Sequence, residues 1–423
     1  MSGTPNTNNS QGRRVVITGV GAVTAVGHTA EATWQAMVAG ESGIDTITLF
    51  DPSPYPVRIQ AEVKGFELGP RVDAKQQRYM PRGVTFGLAA ALDSLEDSGL
   101  QITEENAENV GVIFSMGGGG TDLIVEYQKI LDEKGPRRIT PFLVANFIVD
   151  AASGQIAIAT GARGPNHAVV SACATGGASI GEAYEIIKRG DADAIISGSC
   201  ESVLLPIYHA TWCSMRALAG NNEHPKQSLR PFDLNRDGFV AGEGAASFIL
   251  EDLESARARG ARIYCEVIGY GSSNDAYDMI ALHETGRGLK RAVNAAVRKA
   301  DIDPATIDYI NPHGSGTPQN DRVETMVFKD IMGEGAYRTT ISSVKPITGH
   351  CMGAAGSVEA LACVMAIRDQ KVPPTINYVT PDPDCDLDYV PNVARDRRVD
   401  ISMTTSVGLG GHNSCVIFRR MEE

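Results

Sequence analysis

The sequence lacks three things, and each absence removes a class of function. It has no basic excess: 38 Lys and Arg stand against 51 Asp and Glu, a net charge of −13, so it carries no general phosphate-tracking surface and nucleic acid is not an expected partner. It has no run of ~18 uninterrupted apolar residues for a membrane span, and its start, MSGTPNTNNSQG, has no apolar signal-peptide core. A soluble cytoplasmic protein is expected, with residues 1–12 disordered. It also has no Cys-x-x-Cys pair. The eight cysteines, at 173, 200, 213, 265, 351, 363, 385 and 415, show neither zinc-ribbon nor redox spacing, so no metal site is expected. A chain of 423 residues buries a core that needs no covalent staples. The thiols therefore read as reduced, and the open question is whether one of them is a nucleophile.

Glycine is in surplus, 45 residues where average usage would give about 30, and predicts many tight strand-to-helix turns. Short apolar runs alternate with helical spacing: strands over 14–18, 110–114, 193–197 and 245–250, with helices over 31–39 and 84–98. Strands over 262–270, 307–311, 400–406 and 414–418 and helices over 288–300 and 353–368 repeat the vocabulary. The fold class is α/β. The order strand, glycine turn, strand near the end of each half suggests duplication, with a boundary near Leu253–Arg262 and one shared core.

Gly19-Val20-Gly21 lacks the third glycine of a dinucleotide fingerprint and reads as a tight turn. Gly117–Gly120 lacks the Lys-Ser/Thr of a P-loop and reads as room for close backbone or ligand approach. In Ala168–Gly190, AVVSACATGGASIGEAYEIIKRG, a strand ends at Val170, Cys173 falls in the turn, and a helix follows. That placement exposes a thiol to a helix N-terminus, which favours thiolate. His313 and His350 each lie in a glycine-rich loop just beyond a strand, and Lys345 precedes the second by five residues.

Five segments together resemble the β-ketoacyl synthases: SACATGG around Cys173, HGSGTPQND from His313, VKPITGHCMGAAGS, RPFDLNRDGFVAGEGA and the C-terminal GLGGHNS. The resemblance runs from about Arg13 to Arg420. It implies the thiolase-like fold, two related halves (13–255 and 256–423) in a five-layer αβαβα arrangement. It implies an acyl-accepting nucleophile at Cys173, a decarboxylation pair at His313 and His350, a buried lysine at Lys345 supporting the second histidine, and Glu324 as a polar partner in that lysine's network. It places Ser315, Thr317 and Phe239 along the substrate's phosphopantetheine arm, Gly408 and Leu409 in an oxyanion loop, and Gly118 and Leu409 where bulkier residues are common, leaving acyl-pocket volume. No cofactor is implied beyond the phosphopantetheine carried by the partner, an acyl carrier protein. Because such carriers are acidic, a local basic patch is needed, with Lys64, Arg71, Lys75, Arg78 and Arg82 as one candidate segment and Arg137 with Arg138 as another.

Two subclasses compete. The His313-Gly-Ser-Gly-Thr317 loop is more similar to the α subunit of type II polyketide systems, which pairs with a chain length factor. The GLGGHN ending departs from the aromatic polyketide pattern, which points to a reducing or polyene system. The alternative is a fatty-acid elongation synthase of the KAS II type, a homodimer. A noncatalytic chain-length-factor subunit conflicts with Cys173. A degradative thiolase would need a second reactive cysteine, and Cys415 reads as buried.

Overall fold

A computed structural model describes residues 12–421; apart from Gly12, the expectation for the first dozen residues lies outside them. The first half contributes β1 (Val15–Thr24), β2 (Val110–Ser115), β3 (Asn166–His167), β4 (Ala194–Glu201) and β5 (Gly244–Asp252), in the spatial order β3-β2-β4-β5-β1. The second contributes β6 (Cys265–Asn274), β7 (Tyr309–Asn311), β8 (Thr340–Ile341), β9 (Ile401–Gly408) and β10 (His412–Arg419), in the order β8-β7-β9-β10-β6. Third, second, fourth, fifth, first is the sequence in both.

Directions repeat as well. In each half the second strand runs parallel to the third and fourth, and the remaining neighbours are antiparallel. The halves join where Val15–Ile17 pairs with Cys265–Val267. The duplication suggested by the sequence is thus a duplication of topology.

Five helices position the site: α1 (Arg82–Ser98), α2 (Thr175–Arg189), α3 (Arg287–Ala300), α4 (Pro318–Met332) and α5 (Ala355–Asp369). α1 covers the outer face of the first half, and α3 with α4 covers that of the second. α2 and α5 pack against each other and against strands of both halves. The result is the five-layer αβαβα thiolase-like arrangement. The helices' sequences fit these places. α3 buries Leu289, Ala292, Val293, Ala296 and Ala300, a single 3.6-period stripe, whereas α5 is buried at every residue from Ala355 to Ile367.

Two sequence expectations change. Gly19-Val20-Gly21 is not a turn, since β1 continues through it to Thr24. The glycines are there because α1 crosses the strand at backbone contact: a Cβ at Gly19 would sit 2.1 Å from the Ser94 carbonyl oxygen, and one at Gly21 2.0 Å from that of Ala90. The apolar run to Val170 is not a strand either, because pairing stops at His167. From there the chain is held by Val169 N–H donating to Ser115 Oγ at 2.9 Å.

Candidate active site

Cys173 sits in a single 3₁₀ turn, Ala172–Ala174, that feeds directly into α2. Ala172 is held at φ +50°, a left-handed conformation unfavourable for a residue with a Cβ and typical of strain retained at functional turns. The backbone amide of Leu409 donates to the thiol. Gly408 presses so close that a Cβ there would lie 2.9 Å from the Cys173 nitrogen. The loop at Gly408–Leu409 and the Cys173 turn therefore meet at the nucleophile.

The ionisation of the thiol departs from expectation. Burial pushes the Cys173 thiol up to about 11, against the opposing pull of Lys345 and the Leu409 amide. The group rests as a thiol rather than a thiolate, because desolvation outweighs the helix terminus.

His313 and His350 face one another, ring centroids 5.1 Å apart at 82°, and Phe239 sets its edge to His350 at 5.4 Å. Burial, reinforced by the charge of Lys345, holds both imidazoles well below their ordinary value. Both are neutral near pH 7, so each has one N–H to donate. Neither Nδ1 has a protein partner.

Lys345 is fully buried, but its contacts differ from those the resemblance implied. Its ammonium donates to the His313 carbonyl and to Glu359, so its direct bond is to the first histidine's main chain rather than to the second histidine, and Glu324 shares its network through that same main chain. Glu324 accepts from the His313 and Gly314 amides, both at 2.7 Å, and from Asn320 and Thr405, so it fixes the His313 loop. Burial raises Glu324 and Glu359 each to about 7. Glu359 was legible in principle: it is the sole charge in the apolar run Ala355–Ile367, and a buried charge needs a partner.

A cavity of about 460 Å³ joins these groups, lined by Cys173, His313, His350, Ser315, Thr317, Phe239, Gly408 and Leu409. Ser315 and Thr317 hydroxyls lie 3.1 Å apart on its wall. Asp275, Ile280 and Leu282 also line it, from a loop without a sequence motif to announce it. Gly118 does not. A Cβ there would meet Val203 at 2.6 Å and the Tyr208 hydroxyl at 3.2 Å, so the missing side chain's volume is already filled and adds nothing to the pocket.

The basic candidates divide. Arg82 is locked by Glu243 and the Val63 carbonyl, Lys64 pairs with Asp45, and Arg71 with Asp93. Lys75, Arg78, Arg137 and Arg138 are exposed and without an ion-pair partner among the described residues. Tyr79 packs on Phe142 at 5.4 Å, which brings these two segments together.

Family models for the β-ketoacyl synthase N-terminal and C-terminal domains match residues 12–256 and 264–379. The chain is 45% identical to 3-oxoacyl-[acyl-carrier-protein] synthase 2 of Staphylococcus aureus (strain COL), covering 98% of this chain and 100% of that protein. Among solved structures, the ishigamide ketosynthase/chain length factor superposes with a TM-score of 0.89 at 33% identity, covering 97% of this chain and 100% of that one. A type II polyketide ketosynthase in complex with its acyl-carrier protein (AntDE:AntF) gives 0.87 at 32%, with the same coverage. With the topology, the cavity and these similarities in agreement, the chain belongs to the β-ketoacyl synthase family and is a ketosynthase acyltransferase.

Proposed function

We propose that this ketosynthase is a fatty-acid elongation enzyme of the KAS II type, acting as a cytoplasmic homodimer on acyl chains borne by an acyl carrier protein. The observation that carries this reading is the 45% identity along the full length of a 3-oxoacyl-[acyl-carrier-protein] synthase 2, against 32–33% for the polyketide ketosynthases. The preference that the His313–Thr317 loop suggested for a polyketide α subunit yields to it.

In this scheme Cys173 Sγ attacks the carrier thioester, the carrier thiol leaves with the proton, and the acyl group rests on Cys173. The Cys173 and Leu409 amides stabilise the tetrahedral oxyanion, each such donor contributing roughly 3–4 kcal/mol. The phosphopantetheine arm runs past Ser315, Thr317 and Phe239. When a malonyl thioester follows, its carboxylate carbon–carbon bond breaks, CO2 departs, and the electron pair becomes an enolate whose oxygen accepts from neutral His313 and His350. The enolate carbon attacks the Cys173 thioester, the carbon–sulfur bond breaks, and the departing Cys173 thiolate takes up one proton from solvent. The chain grows by two carbons and electrons balance without a redox partner.

The homodimer rests on one face. β3 is an edge strand beside exposed Ile124, Phe142, Val144, Ile148, Ile158 and Val170, an apolar surface of the kind that marks an interface. Val170 is three residues from Cys173 in the chain, so a second copy seated there would lie close to the nucleophile's turn. The test is expression alone, followed by size exclusion and elongation assays with saturated acyl-carrier substrates. An active homodimer extending such chains is expected. A chain inactive until joined by a second ketosynthase-like subunit would restore the polyketide reading.

A further inference from the structure

The duplication extends to the nucleophile turn. Ala172, at φ +50°, opens a 3₁₀ turn that leads into the 15-residue α2. Met352, at φ +48°, opens the turn Met352–Ala354, which leads into the 15-residue α5. In this register Gly353 occupies the place of Cys173, and Glu201, the last residue of eight-residue β4, occupies the place of Gly408, the last of eight-residue β9.

At the first half's turn, Gly408 from the second half puts no side chain in front of the nucleophile's amide, where a Cβ would lie 2.9 Å from the Cys173 nitrogen. At the second half's turn the equivalent space is filled by Glu201 from the first half. One oxygen of the buried Glu201 carboxyl accepts from Gly117 N–H at 2.8 Å, from Gly118 N–H at 3.0 Å and from the Gly353 amide. A Cβ at Gly353 would lie 2.6 Å from that oxygen. The other oxygen is buried without a partner.

We infer that the Met352–Gly353 turn is a second oxyanion-type hole, filled by the Glu201 carboxyl, and that Glu201 is thereby a positioning residue for condensation. Its carboxyl ties the Gly117–Gly118 loop of one half to the turn of the other that carries Met352, which lines the cavity two residues after His350. Removing the carboxyl frees the turn on the His350 side of the cavity and leaves three amides facing an empty, carboxylate-sized space.

This rests on the assignment of Cys173 and His350, and a test must separate the two. Glu201→Ala should lower kcat for condensation at least tenfold with the Michaelis constant for carrier-bound substrate unchanged, and sodium acetate should restore turnover. Acetate should also raise the Tm of Glu201→Ala by several degrees, while sodium chloride at equal ionic strength does not and wild type does not respond. The melting shift needs no turnover, so it stands even where the ketosynthase assignment falls. Glu201→Gln, which keeps an acceptor oxygen, should stay within about threefold of wild type, and Glu201→Met, of similar volume without it, should not. Should Glu201→Ala give no folded protein, that pair decides. Wild-type turnover in Glu201→Met, or an acetate-insensitive Glu201→Ala, would overturn the inference.

Discussion

Lys345→Met should uncover a titration that the native pair conceals. Glu359, buried against Lys345, titrates at about 7, whereas an unfolded glutamate titrates near 4.3. A carboxyl raised in the folded state favours folding most at low pH and loses that contribution as pH climbs from the unfolded value to the folded one, then no further. In the wild type the loss is nearly complete about one pH unit above 7. Without the ammonium, Glu359 keeps its proton to higher pH, so the variant goes on losing stability where the wild type does not. The slope of that extra loss is at most about 1.4 kcal/mol per pH unit, so the gap between them should widen measurably from pH 7 to pH 9. Urea denaturation of wild type, Lys345→Met and Lys345→Met/Glu359→Gln at both pH values reads this directly. The gap should widen for the single variant and stay constant for the double one. An equal deficit at both pH values in Lys345→Met would refute the pairing of Lys345 with Glu359.

The Cys173 thiol, at about 11, should react with iodoacetamide slowly at pH 7.5 and ever faster through pH 9.5; a rate that levels off below pH 8 would mean a resting thiolate. Cys173→Ala should lose acyl loading but keep measurable malonyl decarboxylation, because His313 and His350 remain; full condensation in that variant would remove Cys173 from the role. Arg137→Glu with Arg138→Glu should raise the Michaelis constant for carrier-bound substrate several-fold, less so at high salt, and an unchanged value would place docking elsewhere. Gly19→Ala should destabilise the fold by several kcal/mol, because its Cβ would meet the Ser94 carbonyl at 2.1 Å and backbone cannot yield as a side chain can; a melting temperature equal to wild type would show that α1 can move.

What the sequence made legible was local. The turn at Cys173 and the loops of His313 and His350 are written in short contiguous motifs, and the fold delivers all three to one cavity. What it did not make legible depends on contacts between distant segments. The lone charge in the apolar run 355–367 marks Glu359 as needing a partner, but nothing near Lys345 says that the two pair. The glycines of β1 read as a turn because the helix that requires them lies some seventy residues further on. Gly118 looked like added pocket volume until Val203 and Tyr208 were seen to fill it. The thiolate expectation weighed the helix terminus without the desolvation that only the packed cavity imposes.

In the proposed cycle Cys173 holds the growing chain and passes it to a malonyl-derived enolate. Intact-mass spectrometry tests it in one experiment: the enzyme is loaded from an acyl carrier protein, the adduct is mapped, and malonyl carrier protein is added. A single acyl adduct on Cys173 is expected, and it should disappear as a product two carbons longer appears on the carrier. An adduct on another residue, or one that persists while product forms, would contradict it.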